Sequence, residues 1–301
     1  MTRASDGKAA LATLGARPQL SLLEKCKRNL FFLATEILGY DRLTEAFHKP
    51  ILDRMDRLRR FRNSSDSRAK DSLWLWPRGH FKTSCRRAQV IQDYLWNPKT
   101  TIVWWHAVEE HAEDSAEAVG YLLQNNMNLR KVAPHGMLPA LGAKRFVGRH
   151  GFRLPCSDPS RAASFRAWGA GSEATGGHAE IGYIDDPITG ADREPQQMHA
   201  KRHWYRVTVR NVIEQQGWLN ATGTRWDPED LYQDWIESDY WEIEQRACLE
   251  NEHGAPDMNG TPTLLAPHLV RKAREEMGEA DFALQMQNDP APPSEIPWEP
   301  S

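Results

Sequence analysis

The chain has 301 residues, of which 40% are hydrophobic and 26% are charged, and its formal net charge is −3. This length suits one large domain or a domain with appendages, with enough apolar residues for a substantial core. No apolar run approaches the roughly 20 residues that a membrane helix needs, so we expect no membrane association. Residues 1–18 lack the apolar segment of a signal peptide, and the four scattered cysteines indicate reduced cytosolic thiols.

The charge is unevenly distributed along the chain. Residues 1–225 carry 34 basic against 23 acidic residues, whereas residues 226–301 carry 4 basic against 18 acidic ones. This asymmetry predicts that a polyanionic partner would be met by the first part. The basic cluster within residues 54–70 suits either a nucleic-acid or subunit contact or a solvated helix face.

Apolar periodicity predicts helices that alternate with short apolar strands. Residues 1–19 are expected to be weakly ordered, and the Pro-rich segment 288–301 is expected to be a linker. The predicted helices cover residues 20–38, 44–61, 82–95, 109–124, 195–212, 229–236 and 267–286. The predicted strands cover residues 72–76, 100–105, 152–154, 164–168, 180–184, 218–221 and 240–246.

The alternation of strands and helices predicts an α/β fold with a mostly parallel sheet that is covered by helices on both faces. Residues 20–287 would form this single domain, with a helical region at residues 20–70. Ligands bind at the carboxyl ends of the strands in such sheets. Three polar segments, at residues 77–84, 185–187 and 222–226, directly follow predicted strands and are therefore candidates for one common site.

The first segment reads Pro-Arg-Gly-His-Phe-Lys-Thr-Ser and leads from a strand into a helix. Such a turn can wrap phosphates with backbone N–H groups, and the helix N-terminus favours negative charge. Lys82 is placed to reach the β- and γ-phosphates, and Thr83 to ligate Mg²⁺. The general pattern has glycine where Trp76 and Phe81 stand, so a basic helix N-terminus without nucleotide is the competing interpretation.

The second segment places two carboxylates, Asp185 and Asp186, after an apolar strand. Asp185 could hold Mg²⁺ through its water shell, and Asp186 could polarise an attacking water. Adjacent carboxylates also occur as helix caps or turn residues. In the third segment, Thr222-Gly223-Thr224 could sense the γ-phosphate and move when it leaves, or could be a simple glycine-containing turn.

In combination these segments resemble the ATPase domain of the large terminase subunit of tailed bacteriophages, the motor that packages DNA into procapsids. Residues 77–84 are similar to the family's phosphate-loop variant, which tolerates a missing glycine and has an arginine four residues before the lysine. Residues 170–187 are similar to the family's glycine loop and acidic motif. The coupling motif is matched by residues 222–226 with 230–231, and the exit from the ATPase domain by residues 282–290.

The resemblance implies a P-loop NTPase fold of the ASCE type, with ATP and Mg²⁺ as cofactors. Lys82 and Arg78 would act on the phosphates, where the arginine offsets developing charge. Asp186, which stands where many members have glutamate, would activate water. Thr83 and Asp185 would hold the metal. The nucleotide would contact Arg78, Gly79, His80, Phe81, Lys82, Thr83 and Ser84, with Phe47 and His48 on the adenine side, and Thr222, Gly223 and Thr224 would couple hydrolysis to movement.

The implied function is ATP hydrolysis that drives double-stranded viral DNA into a procapsid. The implied partners are DNA, the portal protein of the procapsid, the small terminase subunit and copies of this chain, pentameric in the assembled ring and monomeric in isolation. The implied location is the bacterial host cytoplasm, transiently at the portal vertex and not in the mature virion.

Complete terminases continue into a nuclease domain, and because this sequence stops at the linker we expect no nuclease activity from it. A different P-loop DNA motor, such as a helicase, and a non-hydrolysing DNA-binding or assembly module are the alternatives.

Overall fold

The computed structural model describes residues 20–64, 69–143, 146–172 and 177–290. The predictions for residues 1–19 and for the linker beyond residue 290 lie outside these ranges. The strands found within them are β1 (Asp71–Leu75), β2 (Ile102–His106), β3 (Val147–Gly148), β4 (Gly151–Phe152), β5 (Phe165–Gly169), β6 (Ala179–Asp185), β7 (Ile213–Gly223), β8 (Trp241–Gln245), β9 (Leu249–Glu250) and β10 (Thr261–Pro262).

Most helices of the described ranges lie where the apolar periodicity predicted them. Two π-helical turns, Leu33–Ile37 and Tyr205–Val209, and a 3₁₀ turn, Gly190–Arg193, connect some of them. None of the described helices is both long enough and apolar enough to cross a bilayer. The α-helices are α1 (Leu22–Arg28), α2 (Leu30–Phe32), α3 (His48–Asn63), α4 (Lys82–Trp96), α5 (Glu109–Asn125), α6 (Met127–Val132), α7 (Pro195–Trp204), α8 (Arg210–Val212), α9 (Leu231–Ile236) and α10 (Pro267–Gln285).

Eight strands form the main sheet in the order β3-β4-β5-β2-β6-β7-β1-β8. From β5 to β8 all neighbours run parallel, and only β3 and β4 at one edge pair antiparallel. The strand before the predicted phosphate loop, β1, does not touch the strand before the acidic pair, β6, because β7 lies between them. The carboxyl ends of these three strands therefore meet at one edge of the sheet.

The sheet is buried on both faces, as expected for parallel strands that are covered by helices. Successive side chains point to opposite faces, so Trp74 and Trp104 pack under one helical layer, whereas Leu75 and Trp105 pack under the other. The first layer contains α1 to α6 and the second contains α7 to α9. The predicted α/β class with a mostly parallel sheet is confirmed.

Several element boundaries differ from the predictions for local reasons. The helix predicted over residues 20–38 is interrupted at Asn29, whose side chain accepts a hydrogen bond from the Phe32 amide and starts α2. Helix α6 was missed because it is only six residues long. Strand β7 begins at Ile213, five residues before its prediction, because residues 214–217 are too polar to show a strand pattern.

The end of the described chain is packed rather than extended. Asn288 is fully buried, and its side chain accepts from the Arg225 amide at 3.1 Å and donates to the Arg246 carbonyl at 3.0 Å. Its own carbonyl accepts from the Gln245 side chain at 2.8 Å. The packed domain therefore includes Asn288, which the sequence placed at the start of a linker.

Replacing Asn288 with glycine tests this packing. Asn288 has a φ of 51°, which glycine adopts freely, so the change removes the side-chain hydrogen bonds without backbone strain. We expect the free energy of unfolding in urea to fall by about 1–3 kcal/mol, the usual cost of unpaired buried groups. Asp289→Ala, at the exposed next residue, is the control and should change it by less than about 0.5 kcal/mol. Equal stability of the two variants would contradict the packing role.

Candidate active site

The phosphate-loop segment forms a tight turn between β1 and α4. Gly79 has a φ of 77° and Phe81 a φ of 58°, so both residues lie in the left-handed region. For a side chain larger than glycine this conformation costs about 1–2 kcal/mol. The Phe81 ring is packed, with the Arg42 guanidinium 4.5 Å from its centre and the His48 ring 6.1 Å away, which explains how phenylalanine stands where glycine is usual.

The turn leaves the N-terminus of α4 available to an anion. Among the described residues, no side chain caps this 15-residue helix, which begins at Lys82. Its first amides therefore carry unpaired N–H groups, and the helix dipole adds favourable charge there. Ser84 lies half-buried in this first turn.

The phosphate-loop segment packs on the buried side chains of Phe47 and His48, and its own His80 side chain is buried against Phe47. His48 accepts from the Thr44 amide at 2.9 Å through Nδ1 and donates through Nε2 to the His80 carbonyl at 3.2 Å. The Phe47 ring packs edge-on against Trp76 at 5.5 Å. Burial lowers the pKa of His80 to about 4, so this imidazole is neutral at pH 7. Phe47 and His48 are thus buried beside the loop, and their adenine contact stays a prediction.

Asp185 lies at the centre of the site. Its carboxylate accepts from the Thr83 hydroxyl of α4 at 2.9 Å and from the Thr222 hydroxyl of β7 at 2.5 Å. The register of the sheet pairs Asp185 directly with Thr222 on one side and with His106 of β2 on the other. Burial, reinforced by the neighbouring charge of Asp186, raises the pKa of Asp185. We call Thr83, Asp185 and Thr222 the Asp185 junction.

Asp186 leaves the strand with a φ of 41°. Its amide donates to the Thr222 carbonyl at 3.0 Å, and its carbonyl accepts from the Ala107 amide at 3.1 Å, so the backbone is fixed from both neighbouring strands. Its Oδ1 lies 3.3 Å from Lys82 Nζ, and the lysine side chain is only 8% exposed. The structure thus brings together Lys82 and Asp186, two of the three residues that were predicted to be catalytic.

The third predicted catalytic residue, Arg78, lies exposed at the rim of the site. Its guanidinium is 5.5 Å from the centre of the Trp226 ring, and the Arg193 guanidinium is 5.6 Å from the same ring. Arg193 Nε also donates to the Trp226 carbonyl at 2.9 Å. Arg78 therefore contacts the segment that follows β7 rather than the junction.

The predicted coupling segment, Thr222-Gly223-Thr224, lies at the end of β7, whose last residue is Gly223, and it is held by α9. Arg225 Nε pairs with the buried Asp230 at 3.0 Å, and Asp230 also accepts from the Trp226 amide at 3.0 Å. Tyr232 of α9 packs so tightly that a Cβ added to Gly223 would lie 1.9 Å from its hydroxyl oxygen. Glycine is needed at position 223 because α9 approaches the strand so closely there.

Two residues near the junction were not identified from the sequence. His106 ends β2 beside Asp185, accepts from the Val108 amide at 2.9 Å, and has a pKa lowered by burial. Its ring contacts that of His111 edge-on at 5.0 Å, which sequence spacing does not reveal because one is in a strand and the other in a helix. Tyr232 could have been suspected only from the tertiary contact with Gly223.

This arrangement fits a magnesium-bound phosphate ligand. Hydroxyl and carboxylate oxygens are the ligands that Mg²⁺ prefers, and Thr83 and Asp185 present both within hydrogen-bond distance of each other. Lys82 and the uncapped start of α4 supply positive charge beside them. The structure thus brings together the side chains of Lys82, Thr83, Asp185 and Asp186, and Thr222 contacts Asp185. Phe47 and His48 are buried beside the loop.

The strand order and the loop define the fold. A strand between the phosphate-loop strand and the acidic strand, together with a phosphate-loop turn into α4, is the P-loop NTPase fold of the ASCE type. This confirms the predicted fold class.

The fold is similar to that of a phage large terminase. The large terminase of bacteriophage HK97 aligns with a TM-score of 0.55 and 13% sequence identity, over 88% of this chain and 55% of that one. The ATPase domain of the Thermus phage P74-26 large terminase aligns with a TM-score of 0.45 and 12% identity, over 76% of this chain and 92% of that one. A variant of that domain gives a TM-score of 0.45 and 11% identity, over 76% and 93%. This chain thus spans just over half of the HK97 protein, and its sequence matches no protein-family model and no curated protein.

The contact between Gly223 and Tyr232 gives a stability prediction. Gly223→Ala places a methyl group against a buried ring, and such overpacking costs about 1–3 kcal/mol. We expect the free energy of unfolding in urea to fall by this amount. Gly148→Ala in β3 is the matched control, because its nearest atom beyond the adjoining residues would be 3.5 Å away, so its stability should stay near that of the parent chain. Gly223→Ala with the stability of Gly148→Ala would show that α9 does not press on the strand.

Proposed function

We propose that this chain is a Mg²⁺-dependent ATPase whose hydrolysis drives double-stranded viral DNA into a procapsid. The observation that carries the proposal is the Asp185 junction together with Lys82 and Asp186. Three chain segments bring a lysine, two carboxylates and two hydroxyls to one edge of the sheet. The first and the last of these segments are more than a hundred residues apart in the sequence. A solvated helix N-terminus without nucleotide would not require this convergence.

The metal-binding and phosphate-binding groups of the site would have separate roles in phosphoanhydride hydrolysis. Thr83 and Asp185 would hold Mg²⁺, which when bound neutralises charge on the β- and γ-phosphate oxygens. The start of α4 would bind phosphate through its free amides. Lys82 would turn from Asp186 towards these phosphates, since its ammonium has three donors on a flexible stem.

Asp186 and Arg78 would act on the transition state. Asp186 would take the proton of the attacking water, because its carboxylate lies beside Lys82 and therefore beside the phosphate position. Arg78 would leave the Trp226 ring to offset the charge that develops on the γ-phosphate. Thr222, Gly223 and Thr224 would couple the cycle to movement, since Thr222 contacts Asp185 directly.

The motor part of the proposal is supported by the fold it shares with the HK97 large terminase and by the basic character of residues 1–225. Residues 20–287 with Asn288 would form the ATPase domain. Double-stranded DNA, the portal protein, the small terminase subunit and further copies in a ring would be its partners. It would act in the bacterial cytoplasm, transiently at the portal vertex.

Loss of Lys82 tests the ATPase. We expect Lys82→Ala to lower steady-state ATP hydrolysis by at least about 100-fold, because a preorganised charge on the phosphates is removed. Lys99→Ala is the control, since Lys99 is exposed and precedes β2 at the opposite edge of the sheet. Both variants should unfold at similar temperatures. Turnover in Lys82→Ala equal to that of Lys99→Ala would reject the assignment, and a parent chain that binds DNA but hydrolyses no ATP would favour an assembly module.

The metal role of Asp185 has a separate readout. Asp185→Asn keeps the size of the side chain but removes its charge and one acceptor. We expect it to weaken Mg²⁺-dependent binding of a non-hydrolysable ATP analogue by about 10- to 100-fold in calorimetry, with little change when Mg²⁺ is omitted. Asp114→Asn, at an exposed carboxylate of α5, should bind like the parent chain. An unchanged magnesium requirement in Asp185→Asn would place the metal elsewhere.

A further inference from the structure

We infer that Tyr232 is a positioning residue of this ATPase, whose hydroxyl orients the Asp186 carboxylate when Lys82 turns to the nucleotide. The inference rests on the proposed function and extends it to a residue outside the three motifs. In this account, the close contact between α9 and Gly223 places the Tyr232 hydroxyl where it can act on Asp186.

The position of the hydroxyl is set by close packing. The Tyr232 side chain is fully buried, and its oxygen lies against Gly223, where a Cβ would come within 1.9 Å. Helix α9 is fixed to the turn by the Arg225–Asp230 ion pair at 3.0 Å. The Trp235 ring lies 5.7 Å from that of Tyr232, and its plane is steeply inclined to it. The hydroxyl is therefore held at the carboxyl end of β7 and not in a mobile loop.

Two polar atoms at this place have unused hydrogen-bonding capacity. Within the described part of the chain, the Tyr232 hydroxyl and Asp186 Oδ1 are both buried and make no hydrogen bond. The contact of Asp186 Oδ1 is its ion pair with Lys82 at 3.3 Å. A buried hydroxyl without a partner is costly and calls for an explanation. Here the donor lies against Gly223, and the acceptor belongs to Asp186, whose amide donates to the neighbouring Thr222 carbonyl at 3.0 Å.

The electrostatics favour donation from Tyr232 to Asp186. Burial first, and then the charges of Asp186, Asp230 and Asp185, raise the pKa of Tyr232 well above its usual value. The phenol therefore keeps its proton at neutral pH and acts as a donor.

An exchange of partners explains why the donor is needed. When Lys82 turns to the phosphates, the Asp186 carboxylate loses its counter-ion next to negative charge. A neutral hydroxyl can then orient the carboxylate, directly or through one water, without lowering its basicity as much as a cation would. Because aspartate is one methylene shorter than glutamate, its direction depends more strongly on such a partner.

Tyr232→Phe isolates the hydroxyl. We expect kcat for ATP to fall by about tenfold or more, as for a lost hydrogen bond to a charged group, while the KM for ATP stays within about twofold. The melting temperature should not fall, because the lost group has no partner in this state. The matched control is Tyr94→Phe, a buried tyrosine whose hydroxyl donates to the Ser164 carbonyl at 2.7 Å, so it should lower the melting temperature and leave kcat unchanged.

A double variant separates positioning from a general structural effect. If Tyr232 acts through Asp186, then Tyr232→Phe should lower kcat no further in an Asp186→Asn background. Multiplicative losses, a kcat in Tyr232→Phe equal to that of the parent chain, or a large drop in its melting temperature would overturn the inference while Lys82-dependent hydrolysis still supports the ATPase. Absence of Lys82-dependent hydrolysis in the parent chain would overturn both.

Discussion

The buried carboxylate of Asp185 is the constraint on which the rest of the site depends. A carboxylate at the end of a central strand is expensive to bury unless its oxygens are paired, and two threonine hydroxyls pair them. One hydroxyl comes from the first turn of α4 and the other from β7. These two hydrogen bonds tie the end of β6 to β7 and to the first turn of α4. The phosphate loop, the acidic pair and the coupling segment are therefore parts of one hydrogen-bonded unit.

The same unit contains groups that are poised to exchange partners. Lys82 is paired with Asp186, Arg78 lies on Trp226, and Thr83 donates to Asp185. A phosphate and a divalent cation would compete for all three contacts. Because Thr222 shares Asp185 with Thr83, a change at the proposed metal position would reach β7 through one carboxylate. The loop itself packs on buried groups, among them His48 and the neutral His80.

The sequence was informative where chemistry is carried by short contiguous segments. It predicted the mostly parallel α/β fold and placed Lys82, Thr83, Asp185 and Thr222 at strand ends that do meet. It could not predict what depends on tertiary approach. The closeness of Tyr232 to Gly223, the position of His106 beside Asp185 and the burial of Asn288 arise from packing between distant segments. The ring of the left-handed Phe81 contacts Arg42 and His48, which are remote in sequence.

The most direct test of the account is an experimental structure of the chain with Mg²⁺ and an ATP analogue. The account predicts phosphates at the start of α4, with Lys82 Nζ moved from Asp186 onto them. It also predicts the metal between the Thr83 hydroxyl and Asp185, directly or through a bound water. A nucleotide bound away from this helix, or phosphates at α4 with the Lys82–Asp186 pair intact and Asp185 remote from the metal, would contradict it.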